Sequence, residues 1–122
     1  MSEITLLNVI ENLKIAYRLT SYQSKKCDEF FSVIHAGDFI YPGHLKSKLC
    51  IDIKTAYFFM DDLKNRGFVK KIYEVYCMDC NRSKGVFLES LTDFDEKSTC
   101  DFCNKPLTVS DDIIVLYKVL HI

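Results

Sequence analysis

Four glycines are spread over 122 residues, too few and too scattered for a dinucleotide fingerprint, and no phosphate-binding loop of the G-x-x-x-x-G-K type occurs. No apolar run approaches the length of a membrane span. The first residues, Met1-Ser2-Glu3-Ile4-Thr5, lack the basic start and apolar stretch of a secretory signal, so a cytoplasmic location is expected. Neither sign of charge dominates. Sixteen Lys/Arg oppose 17 Asp/Glu, a net of −1, which argues against a protein that holds polyanions by bulk charge. There are no internal repeats and no low-complexity tract. His35, His44 and His121 lie far apart, with no carboxylate or serine grouping around them. The zinc-deaminase pattern is missing as well. Neither His35-Ala36-Gly37 nor His44-Leu45-Lys46 supplies His-x-Glu, and Thr99 instead of proline precedes Cys100. The expectation is a chain that is not an enzyme, with no small-molecule substrate and no membrane partner.

What the chain does have is core and cysteine. Hydrophobic residues make up 48% and charged residues 27%, a composition that folds. A chain of this mass buries about two-thirds of its surface. Of six cysteines, four form two CxxC pairs, Cys77/Cys80 and Cys100/Cys103, separated by 19 residues. In a reducing compartment such pairs point to metal before disulfides. Each CxxC turn offers two thiolates, and two turns complete the tetrahedron that zinc requires. One structural zinc per chain is expected on Cys77, Cys80, Cys100 and Cys103. A closed set of four thiolates leaves no open coordination position, so the site stabilises and does not catalyse. The other reading, redox dithiols or disulfides, lacks the βαβ pattern of a thioredoxin-like fold. Cys27, on an apolar helical face, and Cys50, in a tight turn, read as small buried hydrophobes.

Periodicity places the elements. Leu6, Val9, Ile10, Leu13, Ala16 and Tyr17 make one stripe of a helix from about Thr5 to Tyr22, with Thr5 as N-cap and Ile4 stapled to Val9. A second helix, about Lys26 to Ala36, buries Cys27, Phe30, Phe31 and Ile34 and stops at Gly37. Asp38 to Tyr41 is extended, held out of the helix region by Pro42. A short helix from His44 to Leu49, a turn at Cys50-Ile51, and a longer helix from Ile53 to Arg66 capped by Asp52 make a helix-turn-helix. Leu45, Leu49, Ile51, Ala56, Phe59 and Leu63 point inward, and only one of Phe58 and Phe59 can enter the core. Two β-rich runs follow, Phe68 to Tyr76 and Ile113 to Leu120, with both cysteine pairs between them. Within that interval Gly85 to Glu89 is a strand of the cysteine-bearing segment and Thr92 to Thr99 its acidic loop. No other strand is expected at hairpin distance from the first long run. The two long runs are therefore expected to pair with each other, the rival being a tail-like segment that keeps Ile113 to Leu120 for itself.

From about Lys26 to Tyr76 this order resembles a winged helix, down to the passage Leu63-Lys64-Asn65-Arg66-Gly67-Phe68-Val69 from recognition helix toward wing. Cys77-Met78-Asp79-Cys80 and Cys100-Asp101-Phe102-Cys103 resemble the two knuckles of a zinc ribbon, with Asn81 and Asn104 where many ribbons carry glycine. Asparagine is the next best residue for positive φ. The layout is similar to that of the archaeal transcription factor E family, adaptors on RNA polymerase. The likeness is architectural and carries over to the four cysteines alone. It implies an α+β chain: an N-terminal helix and winged helix-turn-helix over residues 1–76, closed by a strand at 113–120, with a zinc ribbon over 77–112 inserted at or following the wing.

Two functions fit. One is a DNA-binding transcriptional regulator that meets duplex DNA through Lys46, Lys48, Lys54, Thr55, Tyr57, Phe58, Arg66, Lys70 and Lys71. Against it, Asp61 and Asp62 are expected on the same outward face as Lys54 and Lys64. The other is an adaptor or accessory subunit that uses both modules to hold a partner protein. The stripe of Leu6, Ile10, Leu13 and Tyr17 adds the expectation of a homodimer.

Overall fold

A computed structural model describes residues 5–122. They form four α-helices and a four-stranded antiparallel sheet in the order β1-β4-β2-β3. Ile4 and its staple lie outside the described residues. Two compact units divide the chain. Unit 1 comprises Met1–Lys70 and Tyr117–Ile122, and unit 2 comprises Lys71–Leu116.

Unit 1 begins with α1 (Leu6–Ala16), whose N-cap Thr5 accepts from the Asn8 amide. Leu6, Val9, Ile10 and Leu13 are buried in it. The helix stops well short of Tyr22. Tyr17 is its C-cap, and Arg18 turns the backbone to φ +54°. Thr20 then opens α2 (Ser21–Ser32) with a capping box, in which Thr20 and Gln23 satisfy each other's backbone amides. Threonine followed three residues later by glutamine is the sequence signature that marks this break. α2 likewise ends at Ser32 and not at Ala36, so Gly37, at φ +95°, serves the turn into β1 (Phe39–Ile40) instead of capping the helix.

α3 (Pro42–Leu49) and α4 (Ile53–Asn65) are the two helices expected here, joined by the short turn through Cys50 and Ile51. Proline suits the first helical turn, where no intrahelical partner awaits its missing N–H. Asp52 caps α4 by accepting from the Thr55 amide at 2.7 Å. The inward set is as expected, with Leu45, Leu49, Ala56, Phe59 and Leu63 fully buried. Phe59 takes the core position and Phe58 stays 48% exposed. The Phe59 ring lies 5.9 Å from both Tyr17 and Phe31, tying α4 to α1 and α2. The stripe on α1 that motivated a homodimer is thus used within unit 1.

β2 (Val69–Cys77) and β4 (Ile113–Val119) carry the chain into and out of unit 2 and are neighbours in the sheet. Within unit 1, β4 also pairs with β1 through Phe39 with Lys118 and Ile40 with Tyr117. Within unit 2 the strand expected at Gly85 to Glu89 starts earlier, as β3 (Arg82–Leu88), and against expectation it forms a hairpin with β2, starting from Cys77 opposite Arg82. The hairpin turn is the first CxxC segment itself. Asn81 at φ +57° reverses the chain without glycine or proline. A register shift between Val75 and Tyr76 accommodates Gly85 at φ +78°.

Phe59→Ala should destabilise the chain by about 3–5 kcal/mol, because a fully buried ring that joins three helices leaves a cavity. Urea unfolding followed by far-UV circular dichroism measures this, and a loss below 1 kcal/mol would contradict the packing described.

Candidate metal centre

The two knuckles are held in different ways. The first follows the end of β2, where the Tyr76 amide donates to Asp112 O and the Met78 amide to Asp112 Oδ1. The second closes on itself. The Cys100 amide donates to Lys105 O at 2.9 Å, the Asn104 amide returns to Cys100 O at 3.0 Å, and Asn104 adopts φ +60°. Both asparagines therefore fill the positive-φ role expected of them. A bridge between Thr99 and Pro106 holds the base of this second turn.

The two turns bring the four sulfurs together. Cys77 and Cys103 Sγ are 3.7 Å apart, Cys80 and Cys100 Sγ are 3.4 Å apart, and all four lie within 4.8 Å of one another. A disulfide would need about 2.05 Å. Metal–sulfur bonds of ~2.3 Å arranged tetrahedrally give an edge of ~3.8 Å. The spacing thus fits thiolates around one cation, and the four cysteines can hold a metal ion. Their packing is as telling as their spacing. Cys77 and Cys100 are buried with Val75 and Leu107, and Cys80, Leu88, Phe94 and Ile113 pack against that group. The sulfurs thus belong to a buried apolar cluster of unit 2.

Electrostatics prepare one thiol and restrain another. Amide donors from Cys103 and Phe102 draw Cys100 down to about 6. Burial, reinforced by the neighbouring thiols, pushes Cys80 up to about 12. Four thiolates at this spacing repel one another strongly, so full ionisation calls for a cation in their midst.

Sequence reasoning overlooked the groups that brace the knuckles. Asp112 is fully buried and accepts from the amides of Met78 and Thr108. Burial alone would raise its carboxyl, but those amides and Lys105 outweigh it and hold it below the usual range. Lys105 Nζ bridges Asp112 at 3.3 Å and Asp79 at 3.6 Å, and Lys84 Nζ reaches Asp101 and Thr99 O at 2.8 Å. An acid pair just before a strand is the only sequence signal for Asp112, and it is a weak one.

The remaining candidates fall in other places. Lys46 and Lys48 are exposed on α3, Lys54 and Phe58 on α4, and Arg66 at its C-cap, while Thr55 and Tyr57 are half-buried. Lys54 Nζ sits 5.7 Å over the Phe58 ring. Lys70 and Lys71 are half-buried neighbours on β2, so their side chains leave opposite faces and cannot serve one surface together. Asp61 and Asp62 do not face outward as expected. Tyr117 Oη donates to Asp61 Oδ1 at 2.6 Å, and Tyr17 Oη to Asp62 Oδ2 at 2.5 Å. Burial and the Asp62 carboxylate push Tyr17 up to about 12, so it remains a donor. Cys27 is buried as expected, and burial raises it to about 12. Cys50 is not. It caps α3 in the left-handed region, φ +56°, which turns its side chain to solvent. His121 packs on Phe68, 5.0 Å between rings, within unit 1.

No family model, no curated protein and no solved structure matches this chain. Among the described residues no helix is long and apolar enough to cross a membrane.

Thiol labelling separates these environments. With metal bound, iodoacetamide should modify Cys50 rapidly and spare Cys27. Adding a chelator should then release four further thiols, Cys77, Cys80, Cys100 and Cys103, to the reagent. Mass spectrometry of peptides reads both steps, and rapid labelling of the four before chelation would contradict a metal-held cluster.

Proposed function

We propose that this chain is a non-catalytic winged-helix protein, stapled by one structural zinc, whose helix-turn-helix docks on duplex DNA. The withdrawal of Asp61 and Asp62 carries this reading. With both carboxylates engaged by tyrosines, the outer surface of α3 and α4 offers Lys46, Lys48, Lys54, Lys64 and Arg66 with two fewer acids among them. Lys46 and Lys54 lie close enough to the α4 N-cap to depress the Asp52 carboxyl, after the stronger effect of its hydrogen bonds from Thr55. The strand order β1-β4-β2 supports a winged helix in which β4 supplies the closing strand and the cysteine-bearing segment stands in place of the wing tip. That layout also keeps the resemblance to the archaeal transcription factor E family in view. Zinc is the metal that best suits four thiolates in a closed tetrahedron with no redox demand.

Charge is divided by unit. Unit 1 carries 11 Lys/Arg against 8 Asp/Glu, and unit 2 carries 5 against 9, which together give the 16 and 17 of the whole chain. This division favours a second reading for unit 2 alone. An acidic unit with Met78, Phe87 and Phe102 about half exposed fits an adaptor's surface better than a phosphate backbone.

Elemental analysis of the purified chain should return one zinc per molecule. Cys80→Ser should lose it and unfold unit 2, since metal binding at such sites amounts to about 10–16 kcal/mol. A protein free of zinc and every other transition metal would contradict this.

Binding to a random duplex should be strongly salt-dependent. Three to five phosphate contacts predict a loss of roughly 40-fold to 500-fold between 50 and 200 mM salt, and Lys46→Ala or Lys54→Ala should each reduce the slope by about one. Fluorescence anisotropy on labelled DNA measures both. Absence of binding at 50 mM salt would favour the adaptor.

A further inference from the structure

A cleft of about 580 Å³ opens in unit 1 among residues of α2, β1 and α3. The volume lies within the range of small-molecule sites, roughly 300–1,000 Å³. Its walls hold apolar surface that a folded chain ordinarily covers, with Tyr22, Val33 and Phe39 58%, 67% and 46% exposed. Large exposed hydrophobics scattered singly carry no message, but three gathered on one concave surface do. Phe30 and His44 also line it, packed edge to face with ring centroids 5.6 Å apart.

The charges at the cleft are sorted. Glu29 pairs with Lys26 at 3.4 Å, and Asp38 accepts from the His35 amide at 2.8 Å. Lys48 also lines the cleft, and among the described residues no acid pairs with it. The site thus combines several ring faces and edges with one uncommitted ammonium. A polypeptide strand added to the sheet edge fits poorly, because β1 is only two residues long.

We propose that this cleft binds a small organic anion with a flat aromatic body, its ring against Phe30, Phe39 and Tyr22 and its acid group on Lys48. This site does not depend on the DNA reading. If that reading holds, an occupant on Lys48 lowers the positive charge that α3 offers to DNA, which would make the cleft a regulatory site.

The test uses the full metal-loaded chain and two probes. One is 8-anilinonaphthalene-1-sulfonate, and the other is N-phenyl-1-naphthylamine, the same ring system without the sulfonate. The wild-type chain should bind the sulfonate saturably at one site. Lys48→Ala should weaken that binding about threefold to fivefold and leave the neutral probe unchanged. Val33→Asp, at an exposed wall position, should weaken both probes. Near-UV circular dichroism confirms that each variant keeps its packed fold. Equal sulfonate affinity in wild type and Lys48→Ala, or no saturable binding by natively folded protein, would overturn the proposal. So would a sulfonate affinity that falls as protein concentration rises, which would mean that a second copy of the chain covers the cleft.

Discussion

Four sulfurs meeting within 4.8 Å are the constraint on which unit 2 depends. The buried cluster around them joins Val75, Cys77, Cys100 and Leu107, and two of these belong to the sulfur cluster. A 46-residue segment, Lys71–Leu116, lies near the size below which a hydrophobic core alone does not hold a fold. Removing a metal from this site would therefore do more than empty it. Without a cation the thiolates would either repel one another or reprotonate, and in both cases the bonds that would join the two knuckles would be gone. Asp112 shows how closely the surroundings are fitted to that centre. A fully buried carboxylate is tolerated because Met78, Thr108 and Lys105 all donate to it, and two of these donors sit on or beside the knuckles.

Unit 1 solves a different problem by the same means. α4 carries two adjacent acids, Asp61 and Asp62, in the middle of a helix whose other exposed groups are mostly basic or apolar. Adjacent helical residues point about 100° apart, so one partner cannot serve both. Two tyrosines do, Tyr117 from β4 and Tyr17 from the C-cap of α1. Each bond satisfies a half-buried carboxylate and also fixes α4 against a separate element. The helix is thereby positioned by polar contacts along one side and by Phe59, Met60 and Leu63 in the core.

Much of this was legible from residues alone. The four clustered cysteines, the caps Thr5 and Asp52, the inward set of α3 and α4, and the choice between Phe58 and Phe59 all rest on local spacing. Local spacing is what a sequence records directly. The failures share a cause too. The break between α1 and α2 was hidden because apolar periodicity continues through Tyr17, while the signal that ends it is a polar pair, Thr20 and Gln23. β3 begins before the Gly85 that residue type predicts because its turn is a CxxC segment, in which the cysteines and Asn81 do the work usually assigned to glycine and proline. Residue type predicts a buried Cys50, whereas the residue caps α3 with a left-handed backbone and is exposed. Periodicity puts Asp61 and Asp62 on the outer face because their partners lie 56 and 45 residues away, beyond any local pattern.

The charge argument shows the same limit in another form. A net of −1 over the whole chain reads as indifference to polyanions. Divided by unit, it becomes +3 for unit 1 and −4 for unit 2, and a tetrathiolate zinc centre would carry unit 2 to −6. At physiological salt the field of a charge decays over about 8 Å, so a docking surface responds to the groups within its own footprint and hardly to a total. What matters for unit 1 is therefore the local set of Lys46, Lys48, Lys54, Lys64 and Arg66, from which two acids have been turned aside. A chain that places its acid in a separate, cysteine-bearing unit can present a basic surface and still have an acidic isoelectric point, here about 6.3. Bulk composition is a sound guide to binding only where charge is spread evenly, and in this chain the fold has separated it.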